Sequence, residues 1–341
     1  MKRTSLYFTA TRQISLEQES LPTLNADQVL VKTHLSAVSS GTEMLLYRGL
    51  FPLDLPVDET LPALSGAFRY PLKYGYSLVG QVVERGSEID PAWEGRSVFA
   101  FQPHESHFIA DPSELIPLPE GLSLEEALFV PNMETAVTLL MDGRPLVGEQ
   151  VAVFGQGIVG LLTTALLARF PLASLVTLDR YPLRRQASLD FGAHASLNPE
   201  LPEVREGVRA HLTRSSGYHG ADLTYELSGK PAALDQAIAL TGFHGRVVIG
   251  SWYGTQRADL DLGGTFHRAR IRLISSQVST LPPHLSGRWD KARRFDLVWE
   301  LIRKVKPSLL ITQRFPIQEA ADAYALLDQN PQEAIQIVFQ Y

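Results

Sequence analysis

The residues of this chain best suited to chemistry include three glycines between positions 155 and 160. Gly155, Gly157 and Gly160 follow a short apolar run at 151–154 with G-x-G-x-x-G spacing, and an apolar helical pattern comes after them. The first glycine allows a sharp turn, the second lets the backbone approach a pyrophosphate, and the third lets a helix pack against the strand. The spacing therefore predicts a dinucleotide-binding turn at a helix N-terminus. The other contacts predicted for this turn are Gln156, Ile158 and Val159.

A carboxylate follows the next strand pattern. The run at 175–178 ends in Asp179, about 20 residues beyond the glycines, where a carboxylate accepts hydrogen bonds from an adenosine ribose. Because Asp179 would repel a 2′-phosphate, it favours NAD over NADP. The neighbouring Arg180 points the other way, since a guanidinium could cover a 2′-phosphate, so NADP stays open as the alternative.

The elements needed to position these groups alternate from about residue 137. Strand patterns at 151–154, 175–178, 221–227 and 246–250 are separated by helical patterns, the βαβ rhythm of a doubly wound parallel sheet. Ligands of such sheets bind outside the carboxyl ends of the strands. We therefore expect cofactor contacts from Ser228, Gly229, Gly250, Ser251 and Trp252.

The two ends of the chain have a different pattern. The first third consists of short strand patterns separated by glycine and proline, and the C-terminal part carries two amphipathic helical patterns and a last strand pattern at 334–339. We expect an α/β protein with a Rossmann domain at 136–278 and a mainly β domain formed by 1–135 plus 279–341.

Composition narrows the function classes. The chain has 341 residues, a net charge of −6 and no cysteine, so it lacks the basic excess of nucleic-acid-binding proteins and has neither disulfides nor thiolate zinc sites. No apolar run is long enough to span a membrane, and the N-terminus lacks the apolar region of a signal peptide. We expect a cytoplasmic protein with a small-molecule substrate, and neither nucleic acid nor a membrane as a partner.

Several motifs outside the glycine turn carry a family resemblance. These motifs are SGTE at 40–43, YGYSLVG at 74–80, GADLTYELSG at 220–229 and GRVVIG at 245–250. With a Rossmann domain in the middle of the chain, they resemble the medium-chain dehydrogenase/reductase superfamily, and SSGTE at 39–43 and PNMETA at 131–136 resemble its bacteriochlorophyllide a dehydrogenase-like subgroup. The resemblance implies a GroES-like catalytic domain and hydride transfer to or from a nicotinamide.

The chain departs from this family where its zinc-dependent members bind the catalytic metal. The corresponding positions hold Ser40, Tyr76 and, less directly, Pro131. A hydroxyl and a phenol are poor zinc ligands at neutral pH, and proline has no side-chain donor. We therefore expect a member without zinc. A separate metal site that the sequence leaves open would consist of His104, Glu105 and His107.

Without a metal, hydrogen-bond donors must polarise the reacting oxygen. Thr42 matches the family hydroxyl that contacts substrate and cofactor. Tyr76 would donate from its phenol, or else anchor a strand end, and His104, with a usual pKa of about 6.5, would exchange protons or contact substrate unless it is structural. These residues predict a zinc-independent NAD-dependent oxidoreductase that interconverts an alcohol and a carbonyl on a bulky substrate. The alternatives are an enoyl or quinone reductase and a non-catalytic nucleotide-binding sensor or scaffold.

The resemblance also bears on assembly, because relatives commonly dimerise through the edge of the cofactor sheet. In this chain the strand pattern at 271–277 is the expected edge, since an edge strand leaves backbone groups open to pairing. A homodimer through the Rossmann sheet is therefore possible.

Overall fold

The computed structural model describes residues 1–53, 55–56, 62–64, 66–212 and 219–341. The chain divides into two compact units. The first contains Met1–Pro131 and Ile302–Tyr341, and the second contains Asn132–Leu301.

The N-terminal part is mainly β-structure, as the short strand patterns indicate. Its strands are Lys2–Ala10 (β1), Gln13–Ser20 (β2), Val29–Ala37 (β3), Leu72–Lys73 (β4), Leu78–Arg85 (β5), Ser97–Ala100 (β6), His107–Ala110 (β7) and Leu115–Pro117 (β8). Its helices are Thr42–Tyr47 (α1), Leu124–Ala127 (α2) and Val130–Gly143 (α3), the last of which continues into the second unit.

The second unit contains the alternating strands and helices. Its strands are Gln150–Phe154 (β9), Ser174–Leu178 (β10), Ala195–Leu197 (β11), Ala221–Glu226 (β12), Thr241–Ile249 (β13) and Arg272–Ser275 (β14). Its helices are Ile158–Leu167 (α4), Pro182–Asp190 (α5), Val204–His211 (α6), Pro231–Leu240 (α7) and Lys291–Val305 (α8). The strands pair in parallel in the order β11-β10-β9-β12-β13-β14. This doubly wound sheet confirms the predicted α/β fold class, and the strand order reverses between β9 and β12, where such sheets bind nucleotides.

The last forty residues return to the first unit. Their elements are Ile311–Pro316 (β15), Ala320–Gln329 (α9) and Gln336–Gln340 (β16). Strands β15 and β16 belong to a sheet of order β15-β16-β3-β5-β6-β8, in which β7 also pairs with β3. Strands β2, β1 and β4 form a separate antiparallel sheet. The first unit thus depends on both ends of the described chain.

The boundaries between the units differ from the predicted ones, most of all at the C-terminal side. The prediction changes domain after residue 278, whereas the second unit continues to Leu301. The reason is a buried contact between α8 and α3: the Arg294 guanidinium donates to Thr138 Oγ1 at 3.0 Å and pairs with the Glu134 carboxylate. This ion pair keeps most of α8 with the second unit.

The central strand β9 is buried on both faces of its sheet. Ala152 and Phe154 pack into one apolar cluster and Val151 and Val153 into another, with helices covering the sheet. A strand that is buried on both faces has a continuous apolar sequence, which is why the run before the glycines does not alternate with polar residues. In the described part of the chain, no helix combines the length and apolarity needed to cross a membrane.

Candidate functional site

The glycine turn lies between β9 and α4, and its glycines meet different surroundings. Gly155 has a φ of +84°, and a Cβ there would lie 2.5 Å from the Ser228 Cα atom. A Cβ on Gly160 would lie 1.9 Å from the Gly155 carbonyl oxygen. By contrast, the nearest atom to a Cβ on Gly157 would be Arg184 Nη1, at 4.0 Å. Two glycines therefore shape the turn itself, while the middle one leaves room for a ligand to approach the backbone.

Asp179 follows β10 and is fixed by backbone groups. Its Oδ2 atom accepts from the Gln156 N–H in the glycine turn at 2.7 Å, and its Oδ1 atom accepts from the Tyr181 N–H at 2.8 Å. Each carboxylate oxygen can accept a further hydrogen bond. Asp179 thus both stabilises the turn and keeps acceptor capacity for a hydroxyl-bearing ligand.

Cationic side chains lie beside Asp179. Arg180 pairs with Glu200 at 3.5 Å, and the Arg180 and Arg184 guanidinium carbons lie 5.1 and 4.9 Å from the Tyr181 ring centroid. Burial lowers the pKa of Arg184, and the nearby Asp179 carboxylate opposes that shift. Sequence reasoning missed Arg184; its position in the first turn of α5, close after Asp179, was the available signal.

The loops after β12 and β13 meet at the carboxyl end of the sheet. The Gly229 N–H donates to Ser251 Oγ at 2.9 Å, so the two predicted contact segments are hydrogen-bonded to each other. Ser228 packs against the glycine turn through its backbone, and Trp252 is partly exposed. The four segments predicted to hold a cofactor follow β9, β10, β12 and β13, which are neighbouring strands of one sheet.

Three hydroxyl groups form a cluster in the first unit. The Tyr76 phenol is hydrogen-bonded to Ser39 Oγ, and the Thr42 side chain lies close enough to act on the pKa of that phenol; we call these three residues the hydroxyl cluster. Thr42 is the first residue of α1, and Tyr76 lies just before β5. Burial raises the pKa of Tyr76. The phenol therefore stays protonated at neutral pH and can donate a hydrogen bond. Sequence reasoning placed Thr42 and Tyr76 among the candidates but missed Ser39, although its motif was visible.

His104 lies in the interior of the first unit. Its Nδ1 atom is 2.7 Å from Ser36 Oγ, and its Nε2 atom is 3.1 Å from Glu43 Oε2. Glu43 is fully buried and also accepts from the Tyr324 phenol and, at 2.7 Å, from the Ser39 N–H. With no exposed surface and both ring nitrogens occupied, His104 does not suit the predicted direct contact with substrate. Through Glu43 it is connected to Ser39 of the hydroxyl cluster.

The donor set at the family's metal position does not suit zinc. Ser40, Tyr76 and Pro131 offer no thiolate, imidazole or carboxylate. Across the described ranges, no three His, Asp or Glu side chains converge as a group able to hold a metal ion. The alternative site of His104, Glu105 and His107 is therefore not assembled. Glu105 instead contacts Arg3 at 3.1 Å and Lys73 at 3.3 Å.

Comparisons with known proteins agree with this fold. Residues 159–295 match the family model described as zinc-binding dehydrogenase. D-guloside 3-dehydrogenase of Escherichia coli (strain K12) is 24% identical, and the alignment covers 97% of this chain and 98% of that protein.

Two solved structures have the same fold along almost their whole length. One is the short chain alcohol dehydrogenase RspB of E. coli CFT073 complexed with NADH, with a TM-score of 0.79, 18% identity, and coverage of 100% of this chain and 99% of that one. The other is 2R,3R-butanediol dehydrogenase from Bacillus subtilis, with a TM-score of 0.77, 19% identity and 99% coverage of both chains. The chain is therefore an enzyme, similar along almost its whole length to proteins that are named as dehydrogenases.

Proposed function

We propose that this protein is an NAD-linked oxidoreductase that interconverts an alcohol and a carbonyl on a bulky substrate without zinc. The observation that carries the proposal is the hydroxyl cluster. Ser39, Thr42 and Tyr76 come together where the family motif would supply metal ligands, so hydrogen-bond donors stand in place of a Lewis acid.

The second unit supplies the proposed cofactor site. The glycine turn would hold the pyrophosphate, Asp179 the ribose hydroxyls, and the loops at Ser228–Gly229 and Gly250–Trp252 the remaining parts of the dinucleotide. The Asp179 charge, together with the pairing of Arg180 with Glu200, favours NAD over NADP. RspB, which has the same fold, was solved with NADH. When bound, the nicotinamide would give or accept the hydride.

The first unit would handle the oxygen and its proton. Because burial raises the pKa of Tyr76, its phenol suits hydrogen-bond donation to a carbonyl oxygen during reduction. Ser39 and Thr42 orient that phenol, and Glu43 holds Ser39 through its backbone N–H. We assign His104 a positioning role behind Glu43 rather than proton exchange with the substrate.

Substrate, assembly and location belong to the same proposal. The relative named D-guloside 3-dehydrogenase supports a large polyhydroxylated alcohol as one substrate class to test. We further propose a homodimer through β14, which lies at the edge of the second unit's sheet, and a cytoplasmic location.

The function is tested by measuring NADH oxidation against a panel of keto-sugars, aromatic ketones and enones. Replacing Tyr76 by Phe should lower kcat on the best carbonyl substrate by about 100-fold, because losing one hydrogen-bond donor to the reacting oxygen costs on this order, and should leave the Kd of NADH nearly unchanged. Turnover confined to enones would favour the enoyl or quinone reductase alternative.

The matched control is Tyr47→Phe. Tyr47 lies at the end of α1 and stacks its ring on Tyr324 with ring centroids 5.5 Å apart, so losing its hydroxyl should not affect turnover. Equal kcat values for the wild type and Tyr76→Phe would remove Tyr76 from the mechanism. Elemental analysis that finds one tightly held zinc per chain would overturn the zinc-independent reaction.

A further inference from the structure

A buried carboxylate lies at the carboxyl end of β12, next to the switch point of the sheet. Glu226 is the last residue of that strand and has no exposed surface. Its Oε1 atom accepts from the Ser228 N–H at 2.9 Å and from the Ser228 hydroxyl, and its Oε2 atom accepts from the Tyr253 phenol. A buried carboxylate needs such donors, because an unpaired charge in the interior is strongly destabilising.

The direction of these hydrogen bonds is fixed by their surroundings. Ser228 Oγ accepts from the Lys230 N–H at 3.1 Å, so the hydroxyl proton of Ser228 is directed at Glu226. Burial and the neighbouring Glu226 raise the pKa of Tyr253, so its phenol stays protonated and donates. Glu226 therefore receives three donors and satisfies all of them as a carboxylate.

These contacts join two loops that come from neighbouring strands. Ser228 belongs to the loop after β12 and Tyr253 to the loop after β13, and the Gly250 N–H donates to the Glu226 carbonyl at 3.1 Å. Ser251 Oγ also lies 3.3 Å from that carbonyl oxygen. A single residue thus fixes the carboxyl ends of both strands.

Through its hydrogen bonds to Ser228, Glu226 also acts on the position of the glycine turn. The backbone of Ser228 is so close to Gly155 that a Cβ on Gly155 would lie 2.5 Å from the Ser228 Cα atom. The Leu227 N–H donates to the Phe154 carbonyl at 2.8 Å, which ties the same loop to the end of β9. Movement of Ser228 would therefore displace the first glycine of the turn.

We infer that Glu226 is a positioning residue of the cofactor site, which holds the loops after β12 and β13 against the glycine turn in the conformation that binds the dinucleotide. The inference rests on the proposed function, because it assumes that this edge of the sheet binds a nicotinamide cofactor. Glu226 itself need not touch the cofactor.

The test is the Kd of NADH for the full-length protein, measured by isothermal titration calorimetry. Glu226→Gln keeps the side-chain shape but replaces one acceptor oxygen with an NH₂ group, which would face a donor. We expect its Kd for NADH to rise at least tenfold. Tyr253→Phe removes one of the three donors and should raise the Kd at least threefold.

Thr224→Val is the matched control. Thr224 Oγ1 lies 2.7 Å from Thr241 Oγ1, so this pair also joins β12 to β13, but away from the cofactor loops. Because Thr241 Oγ1 donates to the Ala237 carbonyl, the valine leaves no donor of Thr241 unpaired. This variant should be less stable in urea, yet it should bind NADH within twofold of the wild type.

Three results would decide whether Glu226 positions the cofactor loops. Folded Glu226→Gln with wild-type affinity for NADH would overturn the inference and leave the proposed function intact. If circular dichroism shows that Glu226→Gln does not fold, Tyr253→Phe decides, and unchanged affinity in that variant overturns the inference. If the wild type binds neither NADH nor NADPH, the proposed function fails and this inference with it.

Discussion

Glu43 shows how one interior side chain can set the geometry of a site that it does not enter. Its carboxylate receives the Ser39 N–H, the Tyr324 phenol and a contact from His104 Nε2, and it has no exposed surface. In return, the Glu43 N–H donates to the Ser39 carbonyl at 2.8 Å, so Ser39 is held from both sides. The hydroxyl that Ser39 presents to Tyr76 is therefore fixed by a buried network.

Asp179 combines two tasks whose contributions can be separated. Replacing Asp179 by Ala removes the acceptor of the Gln156 N–H and should weaken the binding of both NADH and NADPH, because the turn loses a hydrogen bond. The substitution also removes the proposed ribose contact and the repulsion of a 2′-phosphate, so the affinity for NADH should fall more than the affinity for NADPH. We expect the ratio of the two Kd values to shift towards NADPH at least tenfold.

The two cofactors serve as controls for each other in that measurement, since both report the damage to the turn. An equal loss for NADH and NADPH would show that Asp179 acts through the turn alone.

At the scale of elements, the sequence predicted those features that depend on residues close together along the chain. The glycine spacing predicted the turn between β9 and α4, and the strand patterns predicted β9, β10, β12 and β14 within a few residues. Strand β13 begins five residues before its predicted pattern, and the short β11 was not predicted. The hydroxyl cluster was only partly predictable, because Thr42 and Tyr76 stand in recognisable motifs but their contact depends on tertiary structure. The partners of Glu43 could not be predicted, since Tyr324 is 281 residues away along the chain.

Glu19 pairs with Arg3 and Lys73 on the sheet of β2, β1 and β4, and the contribution of this charged cluster to stability varies with pH. Burial would raise the pKa of Glu19, but hydrogen bonds from Tyr7, Ser5 and Arg3 outweigh that effect and lower it to about 2. Because the pKa of Glu19 is lower in the folded protein, its ionised form stabilises the fold. This contribution is fully present above the ordinary value of 4.5 and is lost as the pH falls towards about 2.

Replacing Glu19 by Gln should therefore lower the free energy of unfolding at pH 7 by about 1–2 kcal/mol, a value reduced for the partial exposure of the side chain. The difference from the wild type should shrink between pH 4.5 and 2, as urea unfolding at several pH values would show. Glu17→Gln, at an exposed position of the same strand, is the control. A difference that stays constant over this pH range would contradict the assigned cause.

At the scale of the whole molecule, the edge strand β14 pairs only with β13 in its sheet as described. Leu273 lies on that strand and is 36% exposed. If two copies pair through β14, Leu273→Lys should convert the dimer into a monomer in light scattering, because a charged side chain on an edge strand opposes pairing.

Leu309→Lys is the control for that experiment, since Leu309 is 77% exposed in the first unit and lies in no strand. A wild type that is already monomeric at assay concentrations would exclude the dimer.

The return of the chain to its first unit also has a consequence for biosynthesis. Strand β16 pairs with β3, and Tyr324 of α9 donates to Glu43, yet both follow the whole of Asn132–Leu301 in the sequence. The ribosome therefore completes the second unit before it makes the last strands of the first. During translation, the sheet that carries the hydroxyl cluster is the last to obtain all its strands, and Glu43 gains its phenol partner only then.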